Sequence, residues 1–513
     1  MTESMDSQTI ANQPSAASGT IQIQGARALL CLRILAAVCV FSFGPWHEAI
    51  RTTSLMNSDV WMHLRTGEWM LQNHALPRAA LFTRHSELPW IVPSWGFDLF
   101  LGVLAKGFGL RAIPLLFMAF KAALAVLTFL LLRGWRGQFW KAIVLTALVQ
   151  YILLAFPPLP AMFSALFLIV ELFLLMECRR SGNVRLLWWL PLLFVCWANV
   201  DVQFVDGLLV LGLFLLASLI EAGIPKQGST FANAALPLRS VFLVSGLSAG
   251  ATLVTPYFYG PYLTLLGDPV GKIGRQVLDS LHSMNFREPQ HYAVLLLTMA
   301  AFFALGRRPW DCFQILLIAV CAAFAFRWQQ NLWFITLPGV AIISGGFGTA
   351  SQSSMRKGDT PRFELISTGA LAAVLFVLAA ARVPAPRMLL SGISGEFPVQ
   401  AANYIREHHL ARPLYNAQAW GGFLAWYLPE YPVSIDGRIE MYGQDLNERF
   451  FEISTGTRSP EEDAIFRESR IFLLKRDSRL YDTLTHLPGL QIAYEDNLAV
   501  VMERQLAIPA PAH

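Results

Sequence analysis

The sequence predicts an α-helical polytopic membrane domain of about eleven transmembrane helices, followed by a small α/β domain. The 513 residues are 55% hydrophobic and only 14% charged, with a mean hydropathy of +0.46. These values are typical of polytopic membrane proteins and exclude an ordinary soluble enzyme. Apolar segments of membrane-spanning length recur between residues 28 and 381. The last 132 residues hold 30 charged residues, against 44 in the preceding 381, which marks a soluble domain from 382 to 513.

The amino terminus differs from the rest of the chain. Residues 1–25 are polar and of low complexity, which predicts a disordered cytoplasmic tail without a basic signal-peptide region. The first membrane segment, 28–45, is therefore expected to be retained. The six cysteines lie within or beside apolar runs and form no CxxC pair, so we expect neither a disulfide framework nor a zinc site.

Ten further apolar segments complete the predicted membrane domain, which covers residues 26–381 and has a long outer loop at 46–111. These segments are 112–132, 142–156, 161–177, 186–200, 203–220, 238–256, 290–305, 310–326, 329–347 and 364–381.

Basic loops predict the orientation of this domain. The five basic loops are those at 133–141, 178–185, around Lys226, at 306–309 and at 354–362. With eleven membrane segments all five fall on one side, which the positive-inside rule makes cytoplasmic. The amino terminus is then cytoplasmic, and the loop 46–111 and the domain 382–513 lie outside.

The segment SWGFDLFLGVLAKGFG (94–109) is apolar but short, and Asp98 and Lys106 interrupt it. If this segment crossed the membrane, every later loop would change sides. We therefore expect it to form a helix that lies on the outer surface.

The outer loop begins with a charged helix, NSDVWMHLRTGEW. Asn57 or Ser58 is placed to cap a helix that starts at Asp59. Asp59 and His63 are four residues apart and share a helix face over Gly67. A carboxylate and an imidazole side by side are suited to proton transfer. The alternative is that Asp59 only stabilises the first helical turn, by interacting with its exposed backbone amides and with the helix dipole.

Polar residues of three later loops all fall on the outer side in this topology. Ionisable groups near membrane depth cost about 2.5–3.5 kcal/mol each on insertion scales, and they are usually functional. The three sets are Asp201, Gln203 and Asp206; Arg275, His282, Arg287, Glu288 and His291; and Arg327, Gln329, Gln330 and Asn331. The alternative for each is an interfacial charge that reaches water.

Short alternating elements predict the α/β fold of the second domain. Helices are expected near 397–409 and in AWGGFLAWYL, and strands at 413–416, 433–436, 470–475 and 498–504. The sequence has no GxGxxG or Walker motif, so we predict no nucleotide site.

Five stretches, in this order, resemble a known family. NSDVWMHLRTGEWMLQNHALPRAALFT with LPWIVPSWGFDLFL resembles the first outer loop of bacterial multi-spanning glycosyltransferases of the GT-C fold. WANVDVQFVDGLL, ATLVTPYFYG and FRWQQNLWFITLP resemble later turns of that family. YNAQAWGGFLAWYLPEYPVSIDGRIEMYG resembles its carboxy-terminal Trp-Gly-Gly and Asp-Gly-Arg segments. Two positions depart from the pattern, because Asp201 replaces a His and Thr255 replaces an Asn. A changed acceptor, a changed substrate or a lost activity would each fit these departures.

The resemblance implies a glycosyltransferase that moves a sugar from a polyprenyl-phosphate donor to a glycan, lipid or protein acceptor. The reaction would take place at the outer face of the bacterial inner membrane, without nucleic acid. Asp59 would orient or deprotonate the acceptor hydroxyl with His63 beside it, and Arg327, Arg287 or both would hold the lipid phosphate. The other expected substrate-binding residues are Arg65, Trp95, Asp201, Gln203, Asn331, Asp436 and Arg438.

The sequence assigns no cofactor with certainty. Some relatives bind a divalent metal ion at acidic residues, and Asp59 with Asp201 would supply ligands for one. Two other functions remain open. In a transporter, Asp201, Asp206 and Arg327 would be coupling sites, although charges gathered at one face and a large outer domain favour an enzyme. The second is a non-catalytic protein that binds lipid-linked sugar or polysaccharide.

Overall fold

The computed structural model describes residues 16–134, 138–154, 156–157, 159–223, 236–265, 275, 278, 281–307, 311–346 and 361–505. The helices of the first part of the chain are α1 (Ala16–Arg51), α2 (Ser58–Asn73), α3 (Trp95–Phe108), α4 (Ala112–Leu131), α5 (Phe139–Ile152), α6 (Ala161–Ser181), α7 (Leu190–Ala198), α8 (Phe204–Gly223), α9 (Leu238–Ala251), α10 (Gly260–Leu263), α11 (Pro289–Gly306), α12 (Cys312–Arg327), α13 (Leu332–Gly346) and α14 (Pro361–Arg382).

Each of the eleven predicted membrane segments falls on a helix. By length and composition, six helical stretches within the described residues are long and apolar enough to cross a membrane. They are Arg27–Arg51, Trp95–Leu131, Ala161–Ser181, Phe204–Gly223, Pro289–Gly306 and Arg362–Arg382. The total of eleven crossings and the orientation stay predictions.

The predicted amino-terminal tail is partly wrong. Helix α1 already begins at Ala16, so residues 16–25 are helical, and the rest of the predicted tail lies outside the described residues. Adding turns to an existing helix needs no new nucleus, so the apolar segment extends its helix backwards into the polar residues.

Gly109 divides the long apolar stretch that starts at Trp95 into two helices. Its φ of 59° and ψ of −146° end α3, a conformation that glycine adopts without the steric cost of a Cβ atom. Helix α3 is therefore separate from α4, and its position on the outer surface stays a prediction.

A buried ion pair of the helical domain joins α1 and α4. Lys121 on α4 lies 3.4 Å from Glu48 on α1, and Glu48 also accepts hydrogen bonds from the Thr53 hydroxyl and the Ser54 amide. A buried carboxylate needs such partners because leaving it unpaired is costly. These bonds fix the turn that leads into α2, where the candidate site begins.

The second domain contains a four-stranded sheet with strand order β1-β2-β4-β3. Strand β1 (Leu414–Asn416) is parallel to β2 (Ile471–Lys475), and the neighbours β2, β4 (Ala499–Arg504) and β3 (Leu490–Glu495) are antiparallel. In the register, Leu473 lies opposite Val501. The helices of this domain are α15 (Pro386–Gly392), α16 (Val399–Glu407), α17 (Gly421–Tyr427), α18 (Ile439–Ser454), α19 (Ala464–Glu468) and α20 (Arg479–Leu484).

Most elements predicted for this domain are confirmed, but residues 433–436 do not form a strand. Val433 makes only an isolated bridge to Thr83 of the outer loop. The amide of Ser434 donates instead to the Asn416 side chain at 2.8 Å, and that side chain donates to the Ile435 carbonyl at 2.9 Å. Side-chain amides therefore satisfy this backbone in place of a ladder of strand bonds. The edge strand β3 was not predicted.

Candidate active site

Helix α2 starts at Ser58, one residue before the predicted Asp59, and Asn57, one of the two predicted caps, is its cap. The Asn57 side chain accepts a hydrogen bond from the Asp59 amide at 2.8 Å. The Asp59 carboxylate itself accepts no hydrogen bond within the described part of the chain. Asn57 thus supplies the capping bond, and the half-buried Asp59 side chain is left open to another group.

Two glycines let α2 and α3 cross closely. A Cβ atom on Gly67 would lie 1.9 Å from the Asp98 carbonyl oxygen, and one on Gly102 would lie 2.7 Å from the Gly67 carbonyl carbon. Real Cβ atoms do not approach other atoms so closely, so only glycine fits both positions. The crossing brings the first turn of α3 against the face of α2 that carries Asp59 and His63.

At this crossing His63 meets Asp98. The His63 Nδ1 and Asp98 Oδ1 atoms are 2.6 Å apart, and the Ser94 hydroxyl donates to the same Asp98 oxygen at 3.3 Å. Burial alone would lower the pKa of His63, but the negative charges of Asp98, Asp59 and Asp201 outweigh it and raise the pKa. The carboxylates around His63 therefore favour its protonated form.

Burial raises the pKa of Asp59, and its neighbours modify that effect. The charge of His63 lowers this pKa, whereas the carboxylate of Asp436 raises it. A carboxylate with a raised pKa is a better proton acceptor than an ordinary one. Helix α2 contains both residues, so the predicted shared face of Asp59 and His63 is confirmed, while their catalytic role stays a prediction.

Asp201 is held in the turn between α7 and α8. The Ser164 hydroxyl on α6 donates to Asp201 Oδ2 at 2.5 Å, and the Trp197 indole N–H donates to that hydroxyl at 2.7 Å. Burial raises the pKa of Asp201 to about 6, although hydrogen bonds from Ser164 and from the amides of Gln203 and Val202 lower it. The charge of Asp201 also raises the pKa of His63, so this turn adds a third carboxylate to the surroundings of the imidazole.

Trp95 docks α3 on the same turn. Its indole N–H donates to Asn199 Oδ1 at 3.0 Å, and the Gly96 amide donates to the Asn199 carbonyl at 3.0 Å. The side chain expected to bind substrate thus makes a contact between helices, and its contact with substrate stays a prediction.

The second domain reaches the site through the turn Asp436–Gly437–Arg438. Asp436 is fully buried. Its carboxylate accepts hydrogen bonds from Arg438 Nε at 2.9 Å, from Arg438 Nη2 at 2.6 Å and from the Tyr442 hydroxyl at 2.8 Å. Arg438 Nη2 also donates to the Leu81 carbonyl of the outer loop at 2.9 Å, and its guanidinium lies 4.4 Å from the Trp90 ring centre. Both charges therefore tie the domain to the outer loop.

Two further predicted substrate-binding residues are Arg65 and Gln203. The Arg65 guanidinium stacks 5.0 Å from the Phe82 ring centre. No other group in the described part of the chain forms a hydrogen bond with the buried Gln203 Oε1 atom.

Arg287 and Arg327 are exposed on two loops that the sequence predicts to lie on the outer side. These loops are joined by the Gln329 amide, which donates to the His282 carbonyl at 2.9 Å. Asn331, which is 9% exposed, lies in the second of them. In the part of the chain that the structure describes, no hydrogen bond or ion pair links Arg287, Arg327 or Asn331 to Asp59 or His63.

Among the described residues, no group of three or more His, Cys, Asp and Glu side chains is arranged to hold a metal ion. Asp98 is bonded to His63, and Asp201 to Ser164. The divalent ion that the sequence left open stays a prediction, and no step of the proposed chemistry depends on it.

Three residues at this candidate site were not predicted from the sequence: Asp98, Ser164 and Gly437. Asp98 could have been recognised, because it is a charged residue that interrupts an apolar helix. That interruption was interpreted only as evidence that the helix lies on the outer surface. Ser164 carried no signal of its own within its apolar segment.

Comparison with known proteins supports this architecture. No protein-family model and no curated protein matches the sequence. The archaeal oligosaccharyltransferase AglB from Archaeoglobus fulgidus, in complex with an inhibitory peptide and a dolichol-phosphate, is similar with a TM-score of 0.51 and 11% identity, over 87% of this chain and 69% of that chain. The oligosaccharyltransferase of the same organism in the apo form gives a TM-score of 0.53, again with 11% identity and the same coverage. The helical membrane domain and small α/β domain thus share the GT-C fold of these oligosaccharyltransferases.

Proposed function

We propose that this protein is a membrane glycosyltransferase that moves a sugar from a polyprenyl-phosphate donor to an acceptor hydroxyl at the outer face of a bacterial inner membrane. The observation that carries the proposal is the unbonded Asp59 carboxylate beside His63, which Asp98 holds at 2.6 Å. The fold is that of enzymes that transfer lipid-linked glycans, and one neighbour was solved with a dolichol-phosphate.

Asp59 is the proposed general base. As the acceptor oxygen forms its bond to the sugar C1, the C1–O bond to the phosphate breaks, and its electron pair leaves with the polyprenyl phosphate. The hydroxyl proton passes to Asp59. A base at this position contributes about a hundred- to ten-thousand-fold in rate when its pKa is raised towards neutral pH. Burial moves the pKa of Asp59 in that direction.

His63 is the proposed electrostatic partner of Asp59. Its contact with Asp98 fixes the ring orientation, and a positive imidazole limits the rise in the pKa of Asp59 that burial causes. Asp59 therefore retains enough ionised form to accept a proton. The same positive charge favours an approaching phosphate over a neutral group.

Arg327 and Arg287 are the proposed phosphate ligands. Both guanidinium groups are exposed on adjoining outer loops, where a phosphate at the membrane surface is within reach in the predicted topology. A guanidinium group suits this role because it is always charged and donates bidentate hydrogen bonds.

The test is a transfer assay with purified protein in lipid nanodiscs. Polyprenyl phosphates that carry different radiolabelled sugars are supplied with glycan, lipid and peptide acceptors, and release of label from the lipid is followed. We expect at least one donor to lose its sugar in a reaction that Asp59→Asn prevents. Donors that bind without losing sugar under any condition would instead support the non-catalytic alternative.

A further inference from the structure

We propose that Gly437 is a positioning residue through which the carboxy-terminal domain sets the place of the Asp59 carboxylate. The catalytic meaning of this inference rests on the function proposed above, whereas the contact itself does not. The soluble domain is then part of the active site rather than an appendage beside it.

The geometry at Gly437 allows no side chain. A Cβ atom there would lie 2.1 Å from Asp59 Oδ1 and 3.0 Å from its Cγ. Gly437 does not have a positive φ, so its backbone conformation is open to any residue. Glycine is needed at this position only because the carboxylate occupies the space that a side chain would fill.

A second glycine of the domain meets the preceding residue of α2. A Cβ atom on Gly422, in α17, would lie 2.3 Å from the Ser58 carbonyl oxygen. Gly421, its neighbour, packs against the turn itself, because a Cβ atom there would lie 2.2 Å from the Ile435 carbonyl oxygen. Helix α17 and the turn therefore approach the first turn of α2 together.

The turn that carries Gly437 is fixed on both sides. Asp436 before it and Arg438 after it form the buried ion pair, which Tyr442 and the Leu81 carbonyl extend into the domain and the outer loop. The Val433 amide donates to the Phe82 carbonyl at 3.0 Å, and the Arg84 amide donates to the Val433 carbonyl at 2.9 Å. The turn therefore cannot withdraw from Asp59 without breaking these bonds.

Packing takes the place of hydrogen bonding in orienting Asp59. Within the described residues its carboxylate accepts no hydrogen bond, so the backbone of Gly437 is the surface that limits where the carboxylate sits. A displacement of about 1 Å in a catalytic group is enough to cost on the order of a hundredfold in rate.

The first experiment compares Gly437→Ala with Gly395→Ala, a matched control whose Cβ atom would meet nothing within 4 Å. We expect Gly437→Ala to lower kcat on the order of a hundredfold while the KM for the lipid donor stays unchanged, since the proposed phosphate ligands are Arg327 and Arg287 and not this turn. Gly395→Ala should match the parent protein. Unchanged kcat in Gly437→Ala, or a loss seen equally in Gly395→Ala, would overturn the proposal.

The second experiment needs no substrate. Thermal unfolding is measured for Gly437→Ala in the parent and in an Asp59→Ala background, where the colliding carboxylate is absent. We expect a lower Tm from Gly437→Ala in the parent but little change in the Asp59→Ala background, which is the coupling that a direct contact produces. An equal change in both backgrounds contradicts the contact. Coupling in Tm with no transfer by the parent protein would instead leave the contact standing and refute the proposed function.

Discussion

The imidazole of His63 and the carboxylate of Asp98 are joined at 2.6 Å across the crossing of α2 and α3. The crossing is close because Gly67 and Gly102 lack side chains. An ion pair between residues far apart in the sequence therefore depends on two small residues that carry no charge.

The first prediction concerns the pH dependence of stability. The carboxylates around His63 raise its pKa above the usual 6.5, despite burial. A raised histidine pKa stabilises the folded protein fully below the unfolded pKa, and this contribution is lost as pH rises through the folded pKa. Asp98→Asn removes the strongest of these charges. We expect the variant to show a smaller fall in Tm than the parent when pH rises from about 6 to 9.

Melting curves in buffers across that range provide the measurement. Asp477→Asn is the control, because Asp477 is an exposed aspartate of the soluble domain and its loss should leave the pH profile of the parent intact. Parallel profiles for Asp98→Asn and the parent would mean that the pair does not stabilise His63 in its charged form.

The second prediction concerns the attachment of the carboxy-terminal α/β domain to the outer loop. Arg438→Lys replaces a bidentate guanidinium, so at least the second bond to Asp436 or the bond to Leu81 is lost. A buried ion pair is costly to break, at about 3–5 kcal/mol when one partner is removed, and a lysine should incur part of that cost. We expect a lower Tm and faster proteolysis between the outer loop and the domain.

Arg476→Lys provides the comparison for this variant. The side chain of Arg476 is 49% exposed and pairs with Glu495 at the surface, where ion pairs contribute only about 0.2–1 kcal/mol. Equal effects of the two substitutions would show that the buried pair does not hold the domain.

The third prediction is the orientation in the membrane. In a cysteine-free background, Gly182→Cys should be protected from an impermeant thiol reagent in intact spheroplasts, and Ala411→Cys should react. Both positions are exposed in the structure, so protection would reflect the membrane rather than burial. Labelling at 182 or protection at 411 would contradict the predicted topology.

The fourth prediction concerns the lipid donor. Arg327→Ala should weaken binding of a polyprenyl phosphate, because a hydrogen bond to a charged group contributes about 1.5–3 kcal/mol, or roughly ten- to 150-fold in Kd. Arg307→Ala is a matched control, since Arg307 is also exposed and stacks 4.4 Å from an aromatic ring, but lies on the predicted cytoplasmic side. Equal Kd values for Arg327→Ala and the parent would remove Arg327 from the donor site.

Local patterns predicted much of the fold and one part of the site. Apolar runs located the helices, and Asn57 was recognisable as a cap because its side chain acts on the residues next to it. Asp59 and His63 were paired correctly because helical geometry alone brings residues four positions apart to one face.

Contacts between distant segments were not predictable from these patterns. Asp98 reaches His63 only through the helix crossing, and Gly437 reaches Asp59 only after two domains meet. Residues 433–436 alternate like a strand, yet the Asn416 side chain and the outer loop satisfy their backbone. In each case the deciding partner is a residue far away in the sequence.

The transfer rate of Asp59→Asn, measured together with donor binding, is the decisive observation. Asn has the same shape as Asp, so the contact with Gly437 is retained, and the Asn57 cap is untouched. If Asp59 is the general base, transfer should fall about a hundred- to ten-thousand-fold while the Kd for the polyprenyl-phosphate sugar stays the same. Near-normal transfer by Asp59→Asn would show that this carboxylate does not carry the chemistry.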